Sequence, residues 1–148
     1  MNVLITGGAG YIGAATSYLL LKKKINKIII DKLIYKKNNI IPKKSIFFKS
    51  NISNLFLVKK IIKKYNINSV IHFAAYKDVA ESILNPKKYN NNNYLITKKF
   101  IKCCKENGVN NFIFSSTAAV YGNISVNKNV VENSPLKPIS IYGLTKKK

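Results

Sequence analysis

A tyrosine and a lysine four residues apart, Tyr142-Gly-Leu-Thr-Lys146, stand near the end of this 148-residue sequence. On a helix, residues at that spacing share a face, so the lysine ammonium can sit beside the phenol. A free phenol titrates near 10 and is a poor base at neutral pH. A close cation stabilises the phenolate and brings it toward working range, which makes Tyr142 a candidate base and Lys146 its activator. Such a pair also arises by chance in a lysine-rich chain, so its company matters. Upstream, Ser115-Ser-Thr-Ala-Ala-Val-Tyr-Gly122 closes an apolar strand, and Thr117 within it offers a hydroxyl that can hold a reacting oxygen.

At the other end, Gly7, Gly10 and Gly13 give G-x-x-G-x-x-G. The first glycine permits a tight turn, the second lets backbone approach a pyrophosphate, and the third lets a helix lie close on its sheet. The amides at the helix start, near Tyr11 and Ile12, then face the phosphates. The alternative is a plain strand-to-helix turn. Against it stands Asp31, 18 residues after Gly13 and at the end of a second apolar strand. A carboxylate there accepts hydrogen bonds from both adenosine ribose hydroxyls and repels a 2'-phosphate, favouring NAD over NADP. Lys32 and the Lys36–Lys37 pair lie nearby and blunt that preference.

Elements able to position these groups alternate along the chain. Strands are predicted at Met1–Thr6, Lys27–Asp31, Ser45–Phe48, Ser69–Phe73 and Asn111–Ser115. A helix from Tyr11 to Lys24 carries Ile12, Ala15, Leu19 and the Leu20–Leu21 pair at helical spacing. A second is capped by Ser53 or Asn54 and runs to Tyr65, with Leu55, Val58, Ile61 and Ile62 inward. A long one runs from Pro86 to Asn107, with proline near its start and Gly108 beyond its end. A loop through Pro42 precedes the third strand, and a last helix begins near Ser140. Five strand–helix alternations predict an α/β fold, a doubly wound, Rossmann-like parallel sheet with helices on both faces.

Composition bounds the rest. With 47% apolar residues the chain is globular, and its length suits one domain. All 26 basic residues are lysine, against five acids, for a net charge of +21. Lysine, isoleucine and asparagine are inflated together while arginine and tryptophan are absent. A- and T-rich codons account for that bias, and the lysines are spread rather than patched, so no specific nucleic-acid partner is expected. Cys103 and Cys104 are adjacent on a predicted helix, point about 100 degrees apart and are expected to be reduced. There is no basic leader and no apolar run of about 18 residues, so neither secretion nor a membrane partner is expected, and the cytoplasm is the default. No cluster has metal-ligand spacing. His72, the only histidine, ends a buried strand and reads as a packing residue.

The segments TGGAGYIG, HFAA, SSTAAVYG and YGLTK resemble, in order and spacing, the extended short-chain dehydrogenase/reductase family. Within it, His72-Phe-Ala-Ala-Tyr-Lys-Asp-Val-Ala-Glu-Ser82, followed by Pro86, Tyr89 and Asn92–Asn93, is similar to the UDP-glucose 4-epimerase branch. The resemblance implies the N-terminal, NAD-binding part of that fold. It also implies NAD as a tightly held cofactor, a UDP-glucose or UDP-galactose partner, a homodimer, and galactose metabolism. Tyr142 would take the proton from the sugar 4-hydroxyl, Lys146 would hold the nicotinamide ribose, and Thr117 would position the 4-oxygen. Phe73, Ala74 and Ala75 would line the adenosine side, Asn51 would lie beside the adenine, and Ile52 and Ser115 would be further cofactor contacts. Lys77 would reach phosphate or ribose, and Asn93 would add a contact. Three departures stand out: Asp31-Lys32 replaces an Asp-Asn pair, Asn51 stands for an aspartate, and Tyr94-Leu95-Ile96 replaces a glycine-containing segment.

The sequence stops two residues after Lys146. Family members continue into further strands and a smaller domain that grips the UDP-sugar. Residues 1–148 are therefore expected to be an incomplete NAD-binding domain without its substrate domain, with impaired activity and the homodimer in doubt. A non-catalytic NAD-binding remnant, or half of a split nucleotide-sugar epimerase or dehydratase, are the competing readings. A dehydratase would want an acidic pair after Thr117, where this chain has Ala118-Ala119.

Overall fold

Five runs rich in isoleucine, valine and phenylalanine become five parallel strands: β1 Asn2–Thr6, β2 Asn26–Asp31, β3 Ile46–Lys49, β4 Ser69–His72 and β5 Asn111–Phe114. Their order is β3-β2-β1-β4-β5, all parallel, with β1 at the centre. Ile5 pairs with Ile29 on one side and Ile71 on the other. The computed structural model describes residues 1–34, 40–41, 43–123 and 129–148; the Lys36–Lys37 pair and Pro42 lie outside them.

The described residues form two compact units, Met1–Ala74 with Thr97–Ser115, and Ala75–Ile96 with Ser116–Lys148. The first holds the whole sheet and helices α1 (Tyr11–Lys22), α2 (Leu55–Lys64) and α5 (Thr97–Glu106). Strands covered on both faces read as continuous apolar runs, as β2 does. Val3, Ile5 and Ile29 form a buried cluster against which Leu20, Ile25, Phe47, Ile71 and Phe73 pack. Each fully buried isoleucine or leucine contributes about 1.5–3 kcal/mol. Asn54 caps α2 by accepting from the Leu57 amide at 3.1 Å, and Val58, Ile61 and Ile62 are buried as expected. Lys27 on β2 is also buried, with Nζ donating to the Lys44 carbonyl at 3.2 Å.

The apolar spacing on α1 picks out the wrong face. Gly13, Ala14 and Ser17 are the buried residues, whereas Ile12 (58%) and Leu19 (60%) are exposed, as is Ala15. This helix approaches so closely that only small side chains fit beneath it, and the Ser17 hydroxyl is absorbed by the Gly13 carbonyl at 2.8 Å.

The second unit contains α3 (Val79–Leu84), α4 (Pro86–Tyr89), a π-helical segment (Asn90–Ile96), a 3₁₀ turn (Ala118–Val120) and α6 (Ile141–Lys147). The single helix predicted from Pro86 to Asn107 is thus interrupted by seven π-helical residues. Asn93, in the middle of that stretch, is buried with its side chain committed to Tyr76. Helix α3 was not predicted, although Asp78 accepts from the Glu81 amide at 2.8 Å and Asp-x-x-Glu is a helix-start pattern. Among the described residues no helix is long and apolar enough to cross a membrane.

Candidate functional site

In the first unit, β1 delivers Thr6 directly into the glycine turn. Gly7 has φ of +69°, and a Cβ there would lie 2.7 Å from the Ala74 amide nitrogen and 2.9 Å from the Phe73 carbonyl carbon. A Cβ on Gly13 would lie 2.4 Å from the Gly7 carbonyl oxygen and 2.6 Å from Gly8 Cα; on Gly10 it would meet the Gly7 oxygen at 3.3 Å. Turn, helix start and the end of β4 are therefore in backbone-to-backbone contact. Gly10 is the N-cap of α1 with no side-chain cap, leaving Tyr11 and Ile12 exposed at the start of the helix. A helix start without an acid, with its amides outward, suits an anion.

Asp31 at the end of β2 is tied into the same turn. One carboxylate oxygen accepts from the Ala9 amide at 3.0 Å and the other from the Leu33 amide at 2.8 Å. Each oxygen retains a lone pair, so the carboxylate is oriented yet can still accept two hydroxyls. The Ala9 contact was not foreseen; only the spacing between the turn and Asp31 hinted at it.

Asn51 and Ile52 follow β3. Asn51 Oδ1 accepts the Ser53 amide at 3.1 Å, and Ile52 is buried. Ser115 is held at the end of β5, its amide donating to the His72 carbonyl at 3.1 Å. His72 is fully buried, stacked on Phe114, with Nδ1 2.7 Å from Thr6 Oγ1 and Nε2 3.3 Å from Thr97 Oγ1. Thr6 Oγ1 also accepts the Ala74 amide at 3.4 Å. Thr6 Oγ1 thus lies between the Ala74 amide and the His72 ring. The packing histidine is thus a strut between the glycine turn and α5.

The second unit carries Ala75, Lys77, Asn93, Thr117, Tyr142 and Lys146. The Asn93 amide grips the backbone of one residue at both its polar groups: Oδ1 accepts from Tyr76 N at 2.9 Å and Nδ2 donates to Tyr76 O at 2.8 Å. The Tyr76 ring lies against Tyr89 and under the Lys88 ammonium, while Glu81 accepts from the Tyr89 hydroxyl and pairs with Lys88. Half-buried Ala75 and exposed Lys77 flank this clamped residue. Thr117 caps the 3₁₀ turn, its Oγ1 accepting from the Ala119 amide at 3.3 Å. Helix α6 rests on that turn through Gly143, whose Cβ would lie 2.6 Å from the Ala119 oxygen.

Tyr142 and Lys146 both lie on α6, the tyrosine half-buried and the lysine 8% exposed. Burial pulls the Lys146 ammonium down from 10.5 to about 8. At neutral pH it is still mostly a cation, and one poised to give up its charge. Three hydroxyls missed by motif reading hold this helix: Ser140 accepts from the Gly143 amide at 3.0 Å, Thr145 donates to the Tyr142 carbonyl at 2.7 Å, and Ser82 accepts from the Tyr142 amide at 3.1 Å. Ser140 had a visible signal, as a serine at a helix start; the Ser82 contact spans 60 residues and had none.

Comparison with known proteins agrees with this geometry. The NAD dependent epimerase/dehydratase family matches residues 3–147. The UDP-glucose 4-epimerase of Lactobacillus helveticus is 38% identical over 146 residues, covering 99% of this chain and 44% of that protein. That of Klebsiella pneumoniae is 40% identical over 129 residues, covering 82% and 93%. The solved UDP-glucose 4-epimerase of Brucella ovis in complex with NAD superposes with a TM-score of 0.90 at 34% identity, covering 99% of this chain and 44% of that one. The chain spans less than half the length of the Lactobacillus and Brucella proteins.

Proposed function

The chain belongs to the NAD dependent epimerase/dehydratase family, and on that premise we propose that residues 1–148 are the NAD-binding part of a UDP-glucose 4-epimerase. The observation that carries the reading is the glycine turn, where backbone fills the room that side chains would need and Asp31 is oriented by the Ala9 amide. The residues present fit a dinucleotide. Gly7, Gly10 and Gly13 let the chain approach a pyrophosphate, and the amides of Tyr11 and Ile12 face it. Asp31 accepts the adenosine ribose hydroxyls and disfavours a 2'-phosphate. Asn51, Ile52, Phe73, Ala74, Ala75 and Ser115 line the cofactor. Lys77 reaches phosphate or ribose, and Asn93 acts by holding Tyr76 beside Lys77.

Bound NAD supplies a hydride acceptor that returns the hydride, so the sugar C4 is oxidised and re-reduced. The chain's own groups handle the proton. Tyr142 removes it from the 4-hydroxyl of UDP-glucose or UDP-galactose, Thr117 holds that oxygen, and Lys146 stabilises the phenolate as a nearby cation. The same reading makes this a cytoplasmic isomerase of galactose metabolism.

The test is calorimetry with NAD at moderate salt, then UDP-galactose epimerisation in the same sample. Saturable binding, weaker for NADP and abolished by Gly7→Val, is expected. Binding without turnover would mean that chemistry needs residues outside this chain. Absence of binding at millimolar NAD would sink the proposal.

A further inference from the structure

We infer that Ser82 is a positioning residue for Tyr142: its buried hydroxyl fixes the tyrosine's own amide and so orients the Tyr142–Lys146 face of α6. The inference rests on the proposed role of Tyr142 as base.

Helix α6 begins at Ile141, with Ser140 as its N-cap. Its first amides have no partner within the helix and need one elsewhere. Ser140 takes that of Gly143. The Tyr142 amide is taken instead by Ser82, on a different helix and 60 residues earlier in the chain. Ser82 is 0% exposed, so the bond lies out of contact with bulk solvent. Its own proton goes to the Val79 carbonyl at 2.6 Å, which fixes the hydroxyl rotor and aims a lone pair at Tyr142. The platform beneath it is itself anchored. Asp78 caps the Glu81 amide, and the Ser82 amide donates to the Asp78 carbonyl at 3.1 Å.

The other sides of the same turn are also committed. Thr145 donates to the Tyr142 carbonyl, and Gly143 lies against the Ala119 oxygen. A shift of α6 by one residue would break the Ser82 and Ala119 contacts at once. Of the three contacts, only the Ser82 bond reaches Tyr142 from outside its own helix and turn.

The test uses the full chain with nitrogen-15 and ring-carbon-13 tyrosine labels, as wild type, Ser82→Ala, Ser82→Cys and Ser140→Ala. Two quantities are read by magnetic resonance: amide exchange at Tyr142 and Gly143, and the titration of the Tyr142 phenol with and without NAD. Loss of a buried hydrogen bond should speed Tyr142 exchange about 10- to 100-fold in Ser82→Ala while sheet amides keep their protection. The fall in Tyr142 titration on adding NAD should shrink in Ser82→Ala, and by less in Ser82→Cys, whose sulfur keeps the volume and is a weak acceptor. Ser140→Ala weakens the same helix through Gly143 and should leave more of that response intact. Wild-type behaviour in both Ser82 variants, or changes no larger than in Ser140→Ala, would overturn the inference. If Ser82→Ala does not fold, Ser82→Cys decides. If the wild-type phenol ignores NAD, the proposed function fails, and Tyr142 amide exchange still reports whether Ser82 holds that residue.

Discussion

At the glycine turn, backbone meets backbone: Gly7, Gly13, Phe73 and Ala74 approach so closely that no side chain fits between them. In the unit that carries Tyr142, side chains do the joining. Asn93 holds Tyr76, Ser82 and Thr145 hold Tyr142, and Glu81 gathers Lys88 and Tyr89. The first device is steric and all-or-none, set by what is missing. The second is a set of separate polar bonds, each removable with a graded cost. On the roles proposed above, a cofactor cradle needs a fixed surface and a proton-handling residue a fixed direction, and the two units would meet those needs with different chemistry.

The sharpest way to break the contrast is at Gly13. Gly13→Ala places a methyl 2.4 Å from the Gly7 oxygen, and backbone must move to admit it. A loss of about 3–4 kcal/mol in urea unfolding is expected, with NAD affinity lowered at least about a hundredfold, since 1.4 kcal/mol is tenfold. A near-neutral result would mean the turn is softer than its contacts imply.

Asn93→Ala should cost about 2–3 kcal/mol, because the backbone N–H and C=O of Tyr76 both lose their hydrogen bond to Asn93. Hydrogen exchange sharpens the comparison here. The loss should appear first in amides of the second unit, with β1 and β2 still protected.

The smallest effect concerns Lys146 and pH. Its folded-state value of about 8 lies below the ordinary 10.5 because of burial. Between those values the unfolded chain holds a proton that the folded chain has released, so stability rises with pH across that window. The contribution between pH 8 and 10 is about 2 kcal/mol, read as the difference between wild type and Lys146→Met in denaturant melts. Equal slopes for the two proteins would show that the buried ammonium is solvated.

These contrasts explain what could be read from the sequence. The strands were legible because β1, β2 and β4 are buried on both faces, so their apolar runs are unbroken apart from Lys27 and the flanking polar residues. The glycines were legible because their need for space is local. The buried face of α1 was not, since Gly13, Ala14 and Ser17 are too small to register in an apolar pattern, while Ile12 and Leu19 do register and face outward. The π-helical segment escaped notice because the bonds that fix its central residue, from Asn93 to Tyr76, reach 17 residues away. Tyr142 and Lys146 were visible as a pair; what holds them, Ser82 above all, depends on a fold that periodicity does not encode.

The central place of β1 has a consequence for how the molecule is made. Its residues leave the ribosome well before those of β4, since Val3 pairs with Ser69, 66 positions later. At about 5–20 residues per second of synthesis, that edge of β1 waits roughly 3–13 s for its partner. During that interval one of the most water-averse segments of the chain is attached to the ribosome without its neighbour. Its early life depends on how fast translation proceeds and on what shields a nascent strand in the meantime.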